Sequence, residues 1–407
     1  MNKSIARFWG SPAHGAAAAP RMLFAYGFRP FFLLAGLFAV IAVPAWLLMY
    51  SAGVQPLPDM PPQYWHAHEM VFGFLPAAIA GFLLTAVPSW TGARGFAGLP
   101  LVILSIVWLL GRIAIATAAM LPAWAVAALD LLFLPALAVV LAPPLLREKN
   151  RNTPMLAVLA VLWLADVVFL VAMFRPDPVL ASRALRVAID IVLTLVTVIG
   201  GRIVPSFTAN ALRRRGETPS VTSRKWLETL IVPTMVAVIL VDAWRPDSIA
   251  SGVLAAVAAG AHALRLSGWN GLRTRNDAIL WVLHIGYAWL PIGFALKAFW
   301  LLNGSDWAAY WLHAHAVGAL GTMILGVMTR VALGHTGRAL HVKPSIAVAY
   351  LLLSAGALVR VFAPSLVPTA YLPMLTVSGA LWTAAFVLFL VVYAPILTSP
   401  RADGKPG

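Results

Sequence analysis

Two tripeptides in this 407-residue chain set paired imidazoles near the start of apolar segments: His66-Ala67-His68 and His313-Ala314-His315. In a helix, residues i and i+2 are about 200° apart, so the two rings of each motif face nearly opposite ways. Such a pair suits two ligands or two cofactors flanking one helix better than one ion held by both rings. Neutral imidazole is a common donor to haem iron and to copper, and the chain has no Cys to offer a competing thiolate. A lone interfacial His usually binds only water, but the motif recurs at one depth and in one orientation. We therefore read all four as cofactor or metal donors. His262 and His284 form a second layer, further from that face, so a metal held there would be a separate site; the alternative is hydrogen bonding between helices.

Other polar groups in apolar segments also need a reason. Glu69, directly after the first pair, could orient an imidazole as a carboxylate partner. Arg202 and Arg330, near the opposite ends of their segments, could neutralise haem propionates or anchor to lipid phosphate. Asp130, Asp166 and Asp190 read equally as proton-relay groups or as partners of Arg112, Arg183 or Arg186. No P-loop, GxSxG, HExxH or GxGxxG element stands out.

The elements that position these residues must lie in a bilayer. The chain is 61% hydrophobic and only 11% charged, against about 25% charged in ordinary soluble domains, and its mean hydropathy is +0.87. Apolar blocks of about 20 residues are the length that crosses a hydrocarbon core as a helix. A soluble enzyme, a disordered chain and a disulfide scaffold are excluded, and a β-barrel would need alternating strands of about 10 residues. The fold expected is an all-α polytopic membrane bundle of about twelve transmembrane helices, near 30–50, 64–89, 98–119, 121–146, 153–173, 184–210, 226–243, 248–267, 277–302, 309–332, 345–363 and 368–397. A basic N-terminal tail, 1–29, precedes the membrane domain, 30–398, and a short tail, 399–407, follows it. The net charge of +15 is spread over loops and not gathered on one module, which points to lipid headgroups and not to nucleic acid.

With the N-terminus inside, Lys and Arg fall roughly three to one on the side that holds both termini, the positive-inside bias. Both termini are then cytoplasmic. Spans two, six and ten all run from outside to inside. Spans two and six share Val87-Pro88-Ser89-Trp90-Thr91 and Val204-Pro205-Ser206-Phe207-Thr208 at their inner ends, spans two and ten share His-Ala-His, and Thr336-Gly337 echoes Thr91-Gly92. A degenerate four-helix repeat occurring three times accounts for this pattern.

The chain resembles the NnrS family, bacterial inner-membrane proteins that carry haem and copper and are linked to nitric oxide metabolism. The resemblance rests on Tyr26-Gly27-Phe28-Arg29-Pro30-Phe31-Phe32, on Trp65-His66-Ala67-His68-Glu69-Met70-Val71-Phe72-Gly73, and on Gly201-Arg202-Ile203-Val204-Pro205-Ser206-Phe207-Thr208. It continues in Leu283-His284-Ile285-Gly286-Tyr287, His313-Ala314-His315 and Met328-Thr329-Arg330-Val331-Ala332-Leu333-Gly334-His335-Thr336-Gly337-Arg338. It implies haem, copper and a role in nitric oxide metabolism or protection from nitrosative stress, often in denitrifying bacteria. Redox turnover of nitric oxide is one form that role could take.

By analogy of fold alone, the chain is also similar to the catalytic subunit of haem-copper oxidases and nitric oxide reductases, which holds haem through a His on helix two and a His-x-His on helix ten. That likeness implies His68 and His315 as axial haem ligands and leaves His313 or His66 for a second site; our own reading of the residues adds Arg202 and Arg330 at the propionates and His66, His313, His284 and His262 as metal donors. Spans six and seven contain no His, so an oxygen-reducing binuclear centre is not implied. The competing readings are a secondary transporter or metal permease, suggested by repeats, Pro-broken spans and buried acids, and a structural partner of denitrification enzymes.

Overall fold

The computed structural model describes residues 22–55, 61–147, 150–219 and 221–405. The basic tail up to residue 21 lies outside the described residues. Among the described residues, twelve helices are long and apolar enough to cross a membrane: α1 (Phe28–Ala52), α2 (Pro62–Thr91), α3 (Leu99–Ala116), α4 (Ala123–Arg147), α5 (Pro154–Phe174), α6 (Pro178–Arg214), α7 (Lys225–Trp244), α8 (Ile249–Ser267), α9 (Ala278–Asn303), α10 (Asp306–His335), α11 (Pro344–Leu366) and α12 (Pro368–Thr398). No strand occurs among the described residues. The all-α, twelve-span fold expected from hydropathy is the fold observed.

Local chemistry sets the ends of these elements. Proline opens α2, α5, α6 and α11 in the first turn, where its missing N–H costs nothing. The Asp177 carboxylate accepts from Leu180 N at 2.9 Å to cap α6, and Ser248 caps α8 in the same way. Left-handed Gly53 and Gly304 terminate α1 and α9.

The helices divide into an inner set and a lipid-facing set. In the apolar stretch of α2, 83% of residues are buried, with 72% in α10 and 61% in α6, whereas α7 reaches only 28%. The helices that carry the paired histidines are therefore the interior of the bundle. The chain's ends meet: Arg29 Nη1 donates to the carbonyls of Leu397 and Ser399, each at 2.8 Å, and Trp382 Nε1 donates to Ala39 O at 3.1 Å. Both described termini thus lie at one end of the bundle, called here the terminal end.

Candidate cofactor site

Each His-Ala-His motif runs directly into a π-helical stretch, Glu69–Phe74 on α2 and Ala314–Gly321 on α10. Such wide turns are rare and frequently mark functional positions. The first His of each motif faces one shared cavity of about 260 Å³ at the end opposite the termini, lined by Trp46, Gln63, His66, His313, Arg360 and Trp382 among largely apolar neighbours. His66 stacks on Trp46 with ring centroids 4.1 Å apart, and its Nδ1 is buried without a hydrogen-bond partner. Arg360, on the last turns of α11, is 9% exposed. Its guanidinium lies 5.1 Å from the Tyr310 ring centroid, yet Nη1 has no partner. A buried cation with an unanswered N–H in an apolar cavity is costly unless an anion meets it.

The second His of each motif looks elsewhere. His68 is fully buried in a charged cluster between α2, α3, α4 and α5: Nδ1 lies 3.0 Å from Glu69 Oε1, and Nε2 lies 3.1 Å from Asp130 Oδ2 and 3.2 Å from Asp166 Oδ1. Arg112 Nη1 donates to Glu69 Oε1 at 2.5 Å and Nη2 pairs with Asp130. It can reach them because Gly73 has no side chain; a Cβ there would stand 2.7 Å from Arg112 Nη1. Three carboxylates against one guanidinium leave two negative charges, which protons or a bound cation must balance. Among the described residues, His68, Asp130 and Asp166 are the one group of three such donors close enough to share an ion.

His315 packs against Phe294 and Trp311, with centroids at 4.5 and 6.0 Å, over Gly293, where a Cβ would meet the His315 ring at 2.2 Å. Its nitrogens find no side-chain partner among the described residues. Beside it, Lys297 and Asp242 form a fully buried ion pair, Lys297 lies over Trp311, and Ser251 Oγ donates to Asp242 at 2.6 Å. His262 Nδ1 bonds Tyr287 OH at 2.8 Å, and His284 Nε2 bonds Thr208 Oγ1 at 2.9 Å. Each keeps one unpartnered nitrogen, but neither is gathered with two further donors.

The geometry revises two expectations. The imidazoles that share a cavity are His66 and His313, whereas His68 and His315, expected to act together on one haem, occupy separate surroundings on the other faces of their helices. Arg202 and Arg330 are nowhere near that cavity. They line a second chamber at the terminal end, where Arg202 Nη1 donates to Asn152 Oδ1 at 2.8 Å and Arg330 lies 3.7 Å over the Phe207 ring. The cation that does face the histidines is Arg360. Glu69 lies on an imidazole, that of His68. Of the buried acids, Asp130 pairs with Arg112 and Asp166 reaches His68, while Arg186 takes Asp247 at 2.7 Å.

A family model described as NnrS protein matches residues 22–401, through all twelve helices and both His-Ala-His motifs. The chain belongs to the NnrS family. No curated protein matches it. Within this NnrS bundle, sequence reasoning missed Arg360 and Trp46. A signal for Arg360 was present: a cation inside an apolar span, at the end of the bundle where positive charge is sparse.

Proposed function

We propose that this NnrS protein binds haem in the cavity between α1, α2, α10, α11 and α12, within a bacterial inner membrane and with both termini cytoplasmic. The reading that follows from the family resemblance is a role in nitric oxide metabolism or protection from nitrosative stress. One observation carries the cofactor reading: two imidazoles and an arginine with an unanswered N–H face one apolar cavity. That donor set fits haem, whose iron takes imidazole, whose macrocycle is apolar and whose propionates are anionic. His66 and His313 would hold the iron and Arg360 a propionate, with Trp46 fixing the His66 ring. Bound haem would supply a redox-active iron centre, at which nitric oxide could bind only in place of one of the two imidazoles. The apolar walls would keep water away, and the stacked Trp46 would restrain the imidazole plane.

The copper expected from the resemblance fits less well. His262 and His284 stand apart with one free nitrogen each. The compact His68, Asp130 and Asp166 set is oxygen-rich and suits a hard or borderline divalent ion better than Cu(I). This same buried cluster favours the second reading, a secondary transporter or metal permease.

Purification of the full chain after expression with added haem and copper, followed by an optical spectrum and metal analysis, tests the proposal. A Soret band that disappears in His66→Ala and His313→Ala is the expected result. Protein without a Soret band, but with substrate-dependent uptake in liposomes, would favour the transporter reading instead.

A further inference from the structure

A chamber of about 460 Å³ opens at the terminal end of the bundle. The ends of all three helices that share sequence markers converge on it: Ser89 and Trp90 from α2, Arg202 and Phe207 from α6, Arg330 and His335 from α10. Arg151 closes the set from the loop after α4. That loop is tied down, since Asn150 Nδ2 donates to Trp90 O at 2.8 Å and Asn152 accepts from Arg202. Three guanidinium groups therefore line one space, and no carboxylate lines it among the described residues.

None of the three guanidinium groups has an ion pair among the described residues. Arg330 is only 8% exposed, has no ion pair among the described residues, and rests on the Phe207 ring. Asp277 acts on it electrostatically without pairing. Arg202 is exposed and its side chain donates to the neutral Asn152, so it can approach a ligand from the open side. A buried guanidinium without a counter-charge is costly, and the planar N–H fork of Arg matches the oxygens of an oxyanion. The arrangement differs from the histidine cavity in donor set and in position, at the opposite end of the bundle.

We propose that Arg151, Arg202 and Arg330 form a binding site for a phosphate-type oxyanion, free in solution or carried as the headgroup of an anionic phospholipid. Ser89 and Asn152 contribute neutral polar groups to the same walls. The site does not depend on haem binding, so it stands or falls on its own.

The test uses the full chain in detergent. One arm titrates inorganic phosphate into delipidated protein by calorimetry. The other adds phosphatidylglycerol and counts retained lipid by native mass spectrometry. Removing one charge-assisted contact should weaken binding about tenfold to a hundredfold in Arg330→Gln and Arg202→Gln. Arg213→Gln, at an exposed position whose side chain bonds Asn210, should bind as wild type does. Phosphate binding lost in the variants supports a free anion, and lipid retention lost in them supports a headgroup. If Arg330→Gln fails to give monodisperse protein, Arg202→Gln decides, because its side chain is exposed. Absence of both ligands from the wild type, or equal binding in wild type and variants, overturns the proposal.

Discussion

Replacing Arg360 by Leu should move two quantities in opposite directions. In the haem-free protein, Arg360 is a buried cation with one unanswered N–H, a state that costs about 1–3 kcal/mol in protein interiors. Leucine removes that cost and forfeits the Tyr310 contact, worth on the order of 0.5–1 kcal/mol. The haem-free variant should therefore be as stable as wild type, or more stable by up to about 2 kcal/mol. In the haem complex, the same arginine would form a charge-assisted bond to a propionate, worth about 1.5–3 kcal/mol, so haem should bind roughly 10 to 150 times more weakly to the variant. Haem titration of the apo-protein at the Soret maximum measures the second quantity, and unfolding of the haem-free protein in mixed micelles measures the first. Unchanged haem affinity, or a haem-free variant weakened by more than about 1 kcal/mol, would refute the reasoning.

His68→Ala should retain the Soret band that His66→Ala loses, since only His66 lines the cavity; loss in both would return the haem to His68. Lys297→Met should destabilise the chain by about 3–5 kcal/mol by stranding the Asp242 carboxylate, and Lys297→Met with Asp242→Asn should recover most of that loss in an unfolding assay. Gly293→Ala should cost about 1–3 kcal/mol through overpacking against His315, without removing the haem spectrum. Beyond the last helix, Arg401 holds the Asp403 carboxyl down to about 2 through a bidentate pair. The depressed value means that any stabilisation is present above the ordinary carboxylate range and is lost as pH falls through about 2, and Arg401→Gln should raise the Asp403 titration midpoint in an NMR experiment.

The twelve spans were legible because a run of about 20 apolar residues has few alternatives. The opposed faces of each His-Ala-His also follow from helical geometry alone. Which His of each pair faces the cavity does not, because spacing fixes the angle between the rings and not the phase of the helix against its neighbours. That phase is set by packing, including the π-helical stretches at Glu69 and Ala314, for which the sequence offers no marker. Arg360 lay hidden for a related reason: it is nearly 300 residues from His66 and reaches it only through the docking of α11. Arg202 and Arg330 lie away from the histidine cavity because both sit toward the terminal ends of α6 and α10, whereas His313 stands at the other end of α10.

A third, smaller cavity lies between the other two, walled by Phe32, Ile79, Leu195 and Met323 with almost no polar surface. It shares Leu320 with the histidine cavity and Phe82, Ile199, Ile203 and Val327 with the arginine chamber. The bundle's axis is thus graded: a few polar side chains enter the cavity at each extremity, and the waist has almost none. An ion would have to shed its hydration to cross that waist, whereas an uncharged diatomic gas would meet a medium much like the lipid outside. A solute passing along this axis would therefore be favoured for lacking charge.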